Sequence, residues 1–230
     1  MNMDIWRRHC VAHRCVICHN ETRNRICTDC RLLLPQLENP CPVCAIPNMS
    51  PETRCGQCLS KPPSFDWVIC SFLYQKPLDQ LINRFKNQRQ LIIGRALAEL
   101  LLADLKHYYV DHKLPDKITA TPLFWRKKWS RGFNQSLFLS RYLSRALNIE
   151  HFNNLGRIAA NDEQKKLNRK QRLQNLKHCF TVNGRLDGEH IAVIDDIITT
   201  GATANSIANT LKQAGAGKVT AWAIARTPCQ

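Results

Sequence analysis

Along the second part of the chain, apolar positions recur in two alternating rhythms. From Phe65 onward, short apolar runs of strand length are followed by segments whose apolar residues return every three or four positions. Trp67 to Tyr74 predicts a strand, and Leu78, Leu81, Ile82 and Phe85 share one face of a helix. A long apolar helix is predicted from Leu91 to about Tyr108, a short strand from Lys117 to Pro122, and a further helix from Ser136 to Leu147. Residues 161–177 are polar and basic, with a helical stretch expected after Asn168. The last unit reads as strand Ile191 to Asp195, a Gly/Thr loop, helix Ala204 to Ala214, a Gly215–Gly217 stop and strand Lys218 to Ala225. Strands alternating with helices in this way predict an α/β domain on a mainly parallel sheet.

Residues before Phe65 lack that periodicity and carry turn formers instead, among them Pro40, Pro42, Pro47, Pro51 and Gly56. Ten of the twelve cysteines fall before residue 71, and eight of them form four CxxC pairs: Cys15/Cys18, Cys27/Cys30, Cys41/Cys44 and Cys55/Cys58. In CxxC a tight knuckle aims both sulfurs at one metal, and two knuckles complete a tetrahedral four-thiolate site. Four knuckles imply two structural Zn²⁺ ions, with no ligand position left for water. Short loops favour sequential pairing, Cys15, Cys18, Cys27 and Cys30 at one site and Cys41, Cys44, Cys55 and Cys58 at the other. A crossed pairing satisfies the same count, and iron–sulfur ligation is the chemical rival. Cys10 and Cys70 lack pair partners and read as incidental. Lys61, Pro62 and Pro63 form a linker. The expected division is a metal module over residues 1–63 and an α/β domain over 64–230.

The chain of 230 residues is 44% hydrophobic and 22% charged, a globular composition. No apolar run reaches the roughly 18 residues of a membrane span, and Met1 to Cys10 lacks the apolar stretch of a signal peptide. The expected location is the cytoplasm, where thiols stay reduced. The net charge of +15 is uneven: residues 1–70 hold 8 Lys/Arg against 6 Asp/Glu, so almost all the excess lies beyond. Residues 126–177 alone hold 13 Lys/Arg against 3 Asp/Glu. Trp125, Trp129, Phe133 and Phe138 are interleaved at the start of that span. Cations beside aromatics suit a phosphate backbone with stacked bases, which makes Lys127, Lys128, Trp129 and Arg131 candidates for single-stranded DNA. A solvated basic face, with Trp129 and Phe133 packed on the following helix, is the plainer reading.

The segment Val193 to Thr203 ends an apolar strand with Asp195 and Asp196, then turns through Thr199, Thr200, Gly201 and Ala202 into a helix. A loop opening a helix presents unpaired N–H groups and the positive end of the helix dipole to a phosphate. Paired carboxylates at a strand end accept from ribose hydroxyls, directly or through Mg²⁺. The string resembles the phosphoribosyl pyrophosphate motif of type I phosphoribosyltransferases. That resemblance implies that Asp195 and Asp196 hold the ribose hydroxyls, that Thr199 through Thr203 hold the 5′-phosphate, and that Mg²⁺ enters with the ligand.

Upstream stand Arg131-Gly132-Phe133-Asn134-Gln135, and downstream Arg157, Gln164, Leu167, Arg172, Asn175 and Phe180 at wide spacing. With the TTGAT loop and the four CxxC pairs in this order, the whole chain resembles the ComF/GntX family. The resemblance implies a type I phosphoribosyltransferase-like parallel sheet with an N-terminal double zinc ribbon. It also implies a role in competence and in use of incoming single-stranded DNA, with other DNA-uptake proteins such as a helicase as partners. Lys86, where the family commonly has Lys, and Arg131 are candidates for a pyrophosphate group. The alternative is a Mg²⁺-dependent phosphoribosyltransferase acting on a nucleobase or related acceptor. Neither an acceptor nor a general acid or base is legible in the sequence.

Overall fold

A computed structural model describes residues 13–123, 132–158 and 179–228. The helix expected after Asn168 and the candidates Lys127, Lys128, Trp129 and Arg131 lie outside these residues. The chain folds as β1 (His13–Arg14), β2 (Glu21–Thr22), α1 (Thr28–Leu32), α2 (Gly56–Ser60), β3 (Trp67–Leu73), α3 (Leu78–Gln88), α4 (Leu91–Tyr108) and β4 (Lys117–Ala120). It continues as α5 (Gln135–Leu147), β5 (Glu150–His151), β6 (Leu155–Arg157), β7 (Phe180–Val182), β8 (His190–Ile198), α6 (Ala202–Gln213) and β9 (Lys218–Arg226).

Five strands form one parallel sheet in the order β3-β9-β8-β4-β5, and β6 and β7 pair as a small antiparallel ribbon. Strand β8 lies in the middle, and Ile191, Ala192, Val193 and Ile194 are buried on both faces, as a parallel strand between two layers requires. Alternation sorts the faces. Ala192, Ile194 and Trp222 pack with Leu97 and Leu101 of α4 and Leu139 and Leu143 of α5. Ile191, Val193 and Ala221 pack with Ile207, Ala208 and Leu211 of α6.

Strand β8 was expected to end at Asp195, but pairing continues through Ile197↔Ala225 and Ile198↔Arg226. Both acids therefore sit within the paired strand, because β9 extends to Arg226 and offers partners beyond the expected stop. Likewise α3 runs on to Gln88, which places Lys86 in its last turn rather than after it.

The cysteine-rich segment is a structural repeat. In each half a CxxC knuckle is followed by a residue with positive φ, His19 at 63° and Ala45 at 55°. In each half the third cysteine's N–H points at the first cysteine's sulfur, Cys27 to Cys15 at 3.4 Å and Cys55 to Cys41 at 3.3 Å, and a short helix follows. The halves pack on opposite faces of the sheet. Val16, Ile26 and Leu34 of the first join the α3–α4–α5 layer, while Ala45 and Ile46 of the second join the α6 layer. Between them the chain crosses the free edge of β3, with a Gln36↔Phe72 bridge and the Leu73 N–H donating to the Pro35 carbonyl at 2.9 Å. This covers an edge that would otherwise pair with other chains. Arg25–Glu99 and Arg31–Asp104 (2.5 Å) ion pairs hold the first half against α4.

Helices α3 and α4 meet where Gly94 faces the fully buried ring of Phe85, which also contacts Phe133 and Phe138 at centroid distances of 5.5 Å. A methyl group at Gly94 would overlap that ring. Alanine raises helix propensity by about 1 kcal/mol over glycine, whereas overpacking a core costs about 1–3 kcal/mol. Gly94→Ala is therefore expected to lower stability, read as a reduced denaturant midpoint at unchanged slope. A midpoint at or above the wild type would mean that Phe85 gives way freely.

Candidate functional site

The site forms at the C-terminal ends of the parallel strands, the edge at which open α/β sheets bind ligands. Asp195 is half-buried and Asp196 buried at 7% exposure. The Ser136 hydroxyl on α5 donates to Asp195 Oδ1 at 2.9 Å, as does the Asp196 N–H, also at 2.9 Å. The Ile197 N–H donates to Asp196 Oδ1 at 2.9 Å, and Lys86 Nζ lies 2.8 Å from Asp196 Oδ2. Buried Gln135 donates to the Lys86 carbonyl at 3.1 Å and so ties the start of α5 to the end of α3. Asn134 caps α5, accepting from the Leu137 N–H at 3.3 Å while donating to the Thr121 carbonyl at 3.1 Å. The described part of the RGFNQ string thus positions α5 and, through Ser136, one carboxylate.

Burial drives the Asp195 carboxyl up from its ordinary 3.8, and the neighbouring Asp196 charge adds to the effect. The Ser136 hydroxyl, the Asp196 N–H and Lys86 oppose it, and the result is about 7. Asp195 therefore holds a proton part of the time near neutrality, and a cation entering the site would favour its release.

After Ile198 the chain turns through Thr199 and Thr200, both exposed, to Gly201, whose φ of 76° favours glycine. No side chain caps α6 at Gly201, and Thr200 Oγ1 accepts from the Ala202 N–H at 3.3 Å. The start of α6 consequently presents backbone donors at its positive dipole end. Beneath the loop lies Arg226, 1% exposed. Its guanidinium donates to the carbonyls of Ile198 (2.9 Å), Thr199, Thr227 (3.1 Å) and, through Nε, Cys44 (2.8 Å). Arg226 holds the loop carbonyls downward and ties them to a knuckle of the second cysteine group. A cavity of about 440 Å³ separates that group from the loop, lined by Lys61, Phe65, Thr200, Asn205 and Arg226 among others.

The sequence reading missed Arg226 and Ser136. The signal for Arg226 was present, since a lone cation closes an apolar strand; for Ser136 there was none, because its role comes from where α5 starts over β8.

Within each cysteine group the four sulfurs lie within 4.8 Å of one another: Cys15, Cys18, Cys27 and Cys30 in one, Cys41, Cys44, Cys55 and Cys58 in the other. This is sequential pairing, and both groups fit a metal ion held by four thiolates. Burial opposes the Cys15 thiolate, but N–H groups of Cys18, Cys27 and Ile17 outweigh it and bring the pKa down to about 6. Cys41 behaves alike, brought down to about 7 against burial by N–H groups of Cys44, Cys55 and Val43. One sulfur in each half is thus prepared as a ligand near neutral pH.

No protein-family model matches the chain. Curated relatives do. The DNA utilization protein YhgH of Escherichia coli is 36% identical over 205 residues, spanning 88% of this chain and 90% of that protein. Competence protein F of Haemophilus influenzae is 35% identical over 222 residues, spanning 93% and 96%. Competence protein ComFC of Streptococcus pneumoniae is 28% identical over 204 residues, spanning 87% of each. Among solved structures, the allosteric regulatory enzyme of purine biosynthesis covers 56% of this chain and 25% of its own, at 19% identity and a TM-score of 0.40. Purine phosphoribosyltransferase from Pyrococcus horikoshii covers 58% and 82%, at 15% identity and a TM-score of 0.37. The fold is a parallel α/β sheet carrying two four-cysteine modules, and on the identity and coverage of its curated relatives the chain belongs to the ComF/GntX family.

Asp195 generates a pH dependence of known sign. With its pKa raised in the folded state, the native protein keeps a proton that the unfolded chain has already lost, so stability falls as pH rises from 3.8 to about 7. Asp195→Asn cannot ionise, and its amide oxygen still accepts from Ser136 and Asp196. The variant should melt above the wild type at roughly pH 8 and converge with it near roughly pH 4. A constant difference across that range would remove the buried-proton account.

Proposed function

We propose that this chain handles incoming single-stranded DNA in the cytoplasm and binds phosphoribosyl pyrophosphate at the loop after β8. The observation that carries the ligand half is the pair Asp195 and Asp196 beside the uncapped start of α6. Ribose hydroxyls would donate to the two carboxylates, and the 5′-phosphate would accept from the N–H groups and hydroxyls between Thr199 and Thr203. Mg²⁺, held with the ligand by these acids, would supply the charge that neutralises pyrophosphate. Lys86 stands at the same site, 2.8 Å from Asp196, and serves the pyrophosphate group. Arg131 is proposed for the same group.

The names of the relatives, DNA utilization and competence proteins, support the DNA half, as does the net charge of +15. Lys127, Lys128, Trp129 and Arg131 are proposed contacts to the strand. Protein partners of the DNA-uptake machinery, a helicase among them, belong to this proposal. Among the described residues no helix is long and apolar enough to cross a membrane. The cytoplasmic assignment is supported by eight cysteine sulfurs that need a reducing environment to stay available to metal.

The two cysteine groups are proposed as structural zinc sites, in a module ending at Pro63 and followed by the phosphoribosyltransferase-like domain. With four thiolates each they leave no open position for catalysis. Elemental analysis of purified protein should find about two zinc ions per chain. Cys15→Ser or Cys41→Ser should lose about one of them and reduce soluble yield, whereas an iron chromophore would refute the assignment.

The reading is tested by two titrations of one preparation. Single-strand affinity should fall steeply with salt, and phosphoribosyl pyrophosphate with Mg²⁺ should bind the wild type and bind Asp195→Asn/Asp196→Asn at least about tenfold more weakly, about 1.4 kcal/mol. Absence of strand binding, together with pyrophosphate release in the presence of a nucleobase, would favour the transferase alternative. The carboxylate pair with its adjacent lysine is the observation that keeps that alternative in play.

A further inference from the structure

On the face of the sheet away from α6, helices α4 and α5 enclose a groove of about 960 Å³. One wall is the i, i+4 row Leu91, Arg95 and Glu99 of α4; the other is the paired rows Leu137, Arg141, Arg145 and Phe138, Tyr142, Ala146 of α5. Arg25, reaching from the first cysteine module to its ion pair with Glu99, and Arg89 complete the lining. Among the described residues five arginines line the groove beside one acid, Glu99, which pairs with Arg25, and Arg95, Arg141 and Arg145 are exposed. The rings of Phe133, Phe138 and Tyr142 are half-buried between them.

This surface goes beyond the residues assigned to DNA above. Guanidinium planes pair with phosphates and stack on bases, and aromatic rings take base faces without regard to sequence. A solvated helix face offers charge without rings, and an apolar docking groove offers rings without five arginines; here both line one concavity. Duplex bases are hidden in their own stack, so rings in a groove favour an unpaired strand.

Two connections place the groove within the molecule. Gly132, at φ 73°, lies against the Arg89 guanidinium and is covalently joined to the basic run that ends at Arg131. Asn134, Leu137 and Arg141 are shared with a second cavity of about 270 Å³ at the ends of β4 and β5. The next residues on that helix, Gln135 and Ser136, hold Lys86 and Asp195.

We propose that the α4–α5 groove is a track for a short run of single-stranded nucleic acid, with phosphates on Arg95, Arg141 and Arg145 and bases on Phe138 and Tyr142. The proposal rests on the DNA-handling reading above and adds the surface that performs it. A strand in the track runs from the first cysteine module toward the ends of the strands that carry the phosphoribosyl loop.

The test uses the full-length, zinc-loaded chain and a fluorescent oligothymidylate, with anisotropy read over a salt series. Arg141→Ala/Arg145→Ala should flatten the log-affinity against log-salt slope by about 1.4, for two lost contacts at about 0.7 each. Tyr142→Leu, which keeps an apolar side chain, should bind oligothymidylate about tenfold more weakly yet bind an abasic strand of the same length as the wild type does. Circular dichroism and zinc content of each variant confirm that the fold is kept. If the wild type binds no strand, the DNA reading falls and this proposal with it. If the wild type binds, and slope and affinity are unchanged in the double arginine variant while Lys127→Ala/Lys128→Ala alters them, only the groove assignment is overturned. If a polyglutamate peptide competes as well as the oligonucleotide and is lost in the same variants, the groove is an acidic-protein site and the nucleic-acid proposal fails.

Discussion

A parallel sheet cannot leave either face in water, because its strands are apolar on both sides and its crossovers must bring covering layers with them. With β8 in the middle and buried from Ile191 to Ile194, one layer is supplied by α3, α4 and α5 and the other by α6. Of the two edge strands, β5 is only two residues long, while the seven-residue β3 is the longer exposed edge, and the cysteine-rich segment covers it. One cysteine module joins each layer, and the crossing chain at Pro35 and Gln36 pairs with the exposed edge. The metal modules are thereby part of how the sheet is closed. Metal loss would loosen the Arg25 and Arg31 contacts to α4 as well as the knuckles themselves.

The same arrangement couples the second cysteine module to the loop after β8. Arg226 is a buried cation satisfied by carbonyl groups of Ile198, Thr199, Thr227 and Cys44. Removing a charge of this kind from water costs several kcal/mol, so each carbonyl is needed, and their positions are fixed together. The loop that opens α6 and the knuckle at Cys44 share this one guanidinium. Across the sheet end, Lys86 and Ser136 fix the two carboxylates from α3 and α5. The site is therefore assembled from segments far apart in the chain, and ionising half-buried Asp195, whose pKa is raised, carries a folding cost.

Much of this was legible in the residues. The alternation of strand-length and helix-length apolar patterns determined the α/β class, since burial on one or both faces imposes the period directly. The helix over Leu91 to Tyr108 and the last strand–loop–helix–strand unit stand close to where their patterns lie, because local periodicity and the Gly215 stop set them. The eight cysteines and their knuckles were equally plain, as CxxC geometry is local. The end of β8 was not: Ile197 and Ile198 are strand only because β9 runs alongside to Arg226. Sequential pairing of the knuckles was favoured by loop length but decided by the fold, which brings each set of four sulfurs within 4.8 Å. The partnership of Ser136 with Asp195, the four-carbonyl seat of Arg226 and the meeting of Arg95 with Arg141 across a groove have no local signature. They follow from packing helices onto a sheet, and non-local contacts of that kind are set by tertiary structure, where spacing along the chain carries no information about distance in space.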